Sequence, residues 1–131
     1  MADMIQVLIY EGYLGADPVL SYIDSGKEVC NFRLASTHQY RKGEEAVKEV
    51  TWLKVTTWGK LAVAVNQLCE KGSHVIVTGR LRPDTNGNPK LYETKDGGSG
   101  ASFEVVASSV RVIKGRENLS HAEVEEEVAP Y

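Results

Sequence analysis

The residues best suited to chemistry in this chain are its two tryptophans, both within EVTWLKVTTWGK, residues 49 to 60. An extended chain sends successive side chains to opposite faces. Val50, Trp52, Lys54, Thr56 and Trp58 then share one face, and Thr51, Leu53, Val55 and Thr57 share the other. Leu53 and Val55 suit a core, so the two indoles, with Lys54 between them, are left outside. Flat rings stack on flat rings and cations attract anions. Unpaired nucleic acid is the commonest ligand offering both. The bland reading of such tryptophans is a contact with another protein; the interposed lysine favours the polyanion.

Other residue types argue against catalysis. His38, His74 and His121 occur singly, with no HxxxH or CxxC spacing to set a metal shell. Phosphate-cradling loops and nucleophile motifs are missing, and the one carboxylate cluster, around Glu125, Glu126 and Glu127, lies in a tail that cannot hold two acids at fixed geometry. The expectation is a binding protein, not an enzyme, with no cofactor and no metal.

The net charge of −3 hides an asymmetry. Residues 1 to 116 hold all 15 basic residues and 13 of the 18 acidic ones, whereas 117 to 131 carry five glutamates and no base. A mildly basic body with an acidic tail is compatible with a polyanionic partner. Cys30 and Cys69 fall within apolar patterns and read as small buried hydrophobes in a reducing compartment, a disulfide being the less favoured alternative. No apolar run approaches a membrane span, and MADMIQVLIYEG lacks the basic region and cleavage site of a signal peptide. The cytoplasm, beside the nucleoid, is the expected location.

Positioning these residues requires strands and one helix. Ile5, Val7 and Ile9 alternate with Gln6 and Tyr10, Gly12 and Gly15 mark a kink, and Val19 to Ile23 reads as a continuation. Asp24 to Lys27 is a turn before a strand from Glu28 to about Tyr40, with Cys30, Phe32 and Leu34 inward and Asn31 and Arg33 outward; Arg41 to Ala46 reads as a charged loop. After the tryptophan strand, Leu61, Val65, Leu68 and Cys69 recur at helical spacing, with Lys71 suited to the helix C-terminus and Gly72 to its stop. Val75, Val77 and Leu81 alternate with His74, Thr78, Arg80 and Arg82, so the outer face turns basic towards Pro83. Residues 83 to 101 read as a long hairpin with its tip at Asp96 to Gly100 and a bulge at Asn86 to Pro89, before a last strand from Phe103 to about Ile113.

This order is all-β: a five-stranded Greek-key barrel of the OB-fold type, with one helix between strands three and four and a long hairpin between four and five. The domain spans residues 1–114, followed by a short flexible acidic tail, 115–131.

Five stretches in register, GYLGADP at 12 to 18, NFRLAS at 31 to 36, TWLKVTTWGKLA at 51 to 62, KGSHVIVTGRLR at 71 to 82 and SFEVVASSV at 102 to 110, resemble the bacterial single-stranded DNA-binding protein family. The resemblance implies sequence-independent binding and protection of single-stranded DNA in replication, recombination and repair. It assigns base stacking to Tyr40, Trp52 and Trp58, with Tyr92 as the aromatic of the protruding hairpin. It assigns phosphate contacts to Lys54, Lys60, Lys71 and Arg82, beside which Arg33 and Arg80 share the face or rim. The terminal run Glu125, Glu126, Glu127, Val128, Ala129, Pro130 and Tyr131 resembles the family's docking tip for replication, recombination and repair proteins, although the linker from Gly115 is short and Tyr131 stands where phenylalanine is usual. A homotetramer paired through an N-terminal strand edge and sheet surfaces is also implied. The readings left beside this one are an OB-fold scaffold or adaptor that binds proteins through the same aromatic face, and an RNA binder. Tyr40 shares parity with the inward Phe32 and Leu34, so on alternation alone only a bulge or strand end turns it outward.

Overall fold

A computed structural model describes residues 3–116 and the backbone of 120–125. Its elements run β1 (Leu8–Leu14), β2 (Val19–Tyr22), β3 (Glu28–Lys42), β4 (Glu45–Trp58), α1 (Gly59–Leu68), β5 (His74–Leu81), β6 (Lys90–Glu93), β7 (Ser99–Lys114) and β8 (Ser120–Glu125). Strands β1, β5, β7, β4 and β3 are neighbours in that order, and β1 pairs again with β3, closing a five-stranded barrel. All pairs are antiparallel except β4 with β7. The expected OB-fold architecture is present, with its helix between the third and fourth barrel strands.

Alternation fills the barrel. Cys30, Phe32 and Leu34 from β3, Leu53 and Val55 from β4, Val75 and Val77 from β5, and Val105, Ala107, Val110 and Val112 from β7 form one buried cluster with Leu61, Ala62 and Val65 of α1. Thr57 joins them without cost because its hydroxyl donates to the Cys30 carbonyl at 2.9 Å. Cys30 and Cys69 are free and buried, and loss of solvation pushes both thiols up to about 11.

Several expectations shift where strands outrun the barrel. Arg41 to Ala46 is no loop: β3 and β4 stay paired as far as Lys42 and Glu45, joined by a two-residue turn with Gly43 at φ +64°. Val19 to Tyr22 does not extend β1 but forms its own strand against β3. The tip of the long hairpin lies at Thr94 to Gly98, where the Thr94 and Gly97 amides donate to the Gly98 and Thr94 carbonyls. Lys71 falls beyond α1, which has no basic residue in its last turn. The first strand starts only at Leu8, so Ile5 and Val7 precede it, and with Ile9 they face solvent, while Leu8, Tyr10 and Leu14 pack against the core.

β8 lies within the segment read as the tail, and its backbone pairs with β7 from Ser109 to Lys114, along the edge that β4 has left. The tip from Glu126 to Tyr131, and the Glu125 side chain, lie outside the described residues.

Candidate nucleic-acid interface

β3 and β4 pair without a slip from Val29–Trp58 to Lys42–Glu45, so each outward residue of β4 faces a defined partner. Directly paired residues share a face. The outer rungs are therefore Val29–Trp58, Asn31–Thr56, Arg33–Lys54 and Ala35–Trp52. Six residues at about 3.3 Å each set the indoles about 20 Å apart along the strand. Between them the Thr56 hydroxyl donates to Asn31 Oδ1 at 2.8 Å, which accounts for a buried threonine on an outward parity.

Arg33 and Lys54 face one another as like charges, an arrangement that costs stability until an anion bridges them. β7 sets Glu104 beside Lys54, and the Arg82 amide donates to the Glu104 carbonyl at 2.8 Å, so this rung continues towards a third cation. The Glu104 carboxylate is only 7% exposed, accepts a bond from Ser102 Oγ at 3.3 Å and stands 3.9 Å from Lys90 Nζ. It is the one acid in a row of cations.

Between the β3–β4 hairpin and the β6–β7 arm runs an open groove of ≈ 880 Å³, bordered by Arg33, Trp52, Lys54, Tyr92 and Phe103. A second hollow of ≈ 410 Å³ is lined by Lys27, Trp58, Arg80 and Arg82. Bare backbone seats two of the aromatic rings. A Cβ on Gly15 would meet the Trp52 ring at 2.6 Å, and one on Gly100 would collide with the Tyr92 ring. Arg33 Cζ lies 4.5 Å from the Trp52 ring centroid and Lys27 Nζ 5.4 Å from that of Trp58.

Seven of the residues singled out in the sequence, Trp52, Trp58, Tyr92, Arg33, Lys54, Arg80 and Arg82, thus converge on these two hollows. Three do not. Lys60 sits in the first turn of α1, and Lys71 in the α1–β5 connection, where its amide donates to Asp17 Oδ1 at 2.8 Å. Tyr40 is on the opposite face of the hairpin from Trp52, stacked at 6.0 Å on His38. No bulge turns it outward. The hairpin has left the barrel there, so both its faces meet solvent.

Lys27 and Phe103 were missed. Lys27 sits in a turn signal, and only the fold brings it to the Trp58 ring. Phe103 shares the parity of the buried Val105 and Ala107, yet sits at the first rung of the β4–β7 ladder, beyond the last β5 partner of β7, at 56% exposure.

The single-strand binding protein family matches residues 5–113. The chain belongs to that family. A single-stranded DNA-binding protein of Neisseria meningitidis serogroup A is 31% identical over 121 residues, covering 91% of this chain and 66% of that protein. One from Corynebacterium glutamicum is 38% identical over 104 residues, covering 76% and 43% respectively. The chain thus spans less than two thirds of the length of these relatives. The crystal structure of the small single-stranded DNA-binding protein from Streptomyces coelicolor superposes with a TM-score of 0.68 at 22% identity, over 83% of this chain and 95% of that one. That likeness supports the barrel topology. Among the described residues no His, Cys, Asp or Glu group could hold a metal, and no helix is long and apolar enough to cross a membrane.

Proposed function

We propose that this protein binds single-stranded DNA without reading its sequence, and protects exposed strands in replication, recombination and repair. The observation that carries the reading is the outer face of β4: two indoles about 20 Å apart with the Arg33–Lys54 rung between them. Bases stack on Trp52 and Trp58, and on Tyr92 of the arm, while Arg33, Lys54, Arg80 and Arg82 follow the phosphates. Tyr40 would meet only a strand that wraps over the hairpin end, and Lys60 and Lys71 only a path running past α1.

Tryptophan emission should fall as poly(dT) is added, and affinity should weaken with salt at a log–log slope of roughly −0.7 per phosphate neutralised. Unchanged emission with excess DNA at low salt would remove the reading. Competition by a matched RNA oligomer tests the choice of DNA over RNA.

Self-association into a tetramer belongs to the same proposal. Met4, Ile5, Val7 and Ile9 are exposed, and β3 pairs β1 only at Tyr13 and Leu14, leaving the Leu8–Glu11 edge available to a second copy. The terminal run to Tyr131 is proposed to recruit partner proteins, and its deletion should abolish their capture while leaving DNA binding in place.

A further inference from the structure

Each indole on the proposed DNA face already carries a cation, and the two pairs are built alike. The direct partner of Trp58 is Val29, and its cation, Lys27, comes from two residues earlier; the direct partner of Trp52 is Ala35, and its cation, Arg33, also comes from two residues earlier. Diagonal neighbours across an antiparallel ladder lie within reach of aromatic and long side chains. The same unit therefore occurs twice, at a six-residue interval on both strands.

A ring face covered by a cation cannot stack a base at the same time. Building on the DNA-binding reading above, we propose that Arg33 and Lys27 are exchangeable caps: an arriving base takes the indole face, and the displaced cation moves to the adjoining phosphate. The order of strengths favours the exchange. A cation on an exposed ring is held weakly, and a base stacks on an aromatic ring more strongly. The freed guanidinium can grip a phosphate through two parallel hydrogen bonds.

The caps also set which ligands are accepted. A flat uncharged molecule must displace the cation and gives it nowhere to go. A polynucleotide supplies the ring and the anion together. Lys27 and Arg33 thus discriminate for a charged backbone as well as binding it.

Oligothymidine of one length, made either with its normal backbone or with uncharged methylphosphonate linkages, tests this by tryptophan fluorescence titration. With the normal backbone, Arg33→Ala and Lys27→Ala should each bind several-fold more weakly, with a salt slope shallower by about 0.7. With the uncharged backbone the same variants should bind about two- to fivefold tighter than wild type, the factor expected from losing one exposed cation–ring contact. Arg33→Lys should keep the wild-type order on both ligands. Both side chains are exposed, and unchanged melting temperatures would show that neither substitution disturbs the barrel. If the variants bind the uncharged oligomer no better than wild type does, the exchange is overturned while the DNA reading stands. A wild-type protein that binds neither oligomer removes both.

Discussion

The outer face of β4 and the N-terminal run leading into β1 both expose large apolar side chains, but they differ in what lies among them. Trp52 and Trp58 are interleaved with Lys54 and covered by Arg33 and Lys27. Met4, Ile5, Val7 and Ile9, exposed by 64% to 92%, have no basic residue interleaved with them along the chain, where Lys27 is the first. Exposed apolar area alone does not say what a surface meets. Cations among the rings suit a polyanion, and their absence suits another apolar protein surface.

Replacing both Trp52 and Trp58 by alanine should break one side of this contrast most strongly. Each lost stack is worth about 1–3 kcal/mol of DNA affinity, while the mass seen by light scattering should stay as in wild type. Val7→Asp with Ile9→Asp should do the reverse, reducing the mass below that of the tetramer and leaving fluorescence quenching per chain in place. If either pair alters both readouts, the two surfaces are one.

Gly15→Val sharpens the comparison at a single ring. The new side chain must displace the Trp52 indole, so affinity should fall by about 1 kcal/mol, less than for losing the ring outright. The smallest effect is expected from the cysteines, which serve neither surface. Burial raises both thiols from 9.0 to about 11, so the stability they contribute is complete below pH 9 and is lost as pH rises towards 11. Melting temperature should fall across that window only, and alkylation of the folded protein at pH 8 should be slow.

Much of the barrel was legible because a two-residue period needs only an inside and an outside. Phe32, Leu34, Leu53 and Val55 sit inside as alternation demands, and Trp52 and Lys54 outside. The period loses its meaning where a strand outruns the barrel. Tyr40 and Phe103 both share parity with buried residues, and both are exposed because, among the described residues, nothing covers the far ends of β3–β4 or the base of the β6–β7 arm. The polarity of the N-terminal strand was hidden for a related reason: Val7 and Ile9 are the more apolar set beside Gln6 and Tyr10, yet Leu8 and the ring of Tyr10 can pack on a core as well, so composition could not choose between the faces. At the site, the tryptophans and Lys54 were readable from one strand. Lys27 could be found only through the register that brings its turn beside Trp58.

β7 pairs with β4, β5, β6 and β8, more neighbours than any other strand has. Its partners in the barrel are distant in sequence, so the ring cannot close until the final quarter of the chain has left the ribosome. The β3–β4 hairpin, whose contacts are local, is free to form long before then. A nascent chain would therefore display its indole-bearing ribbon on an open sheet, and slow synthesis between Leu81 and Ser99 would prolong the interval in which unpaired strand edges are open to aggregation.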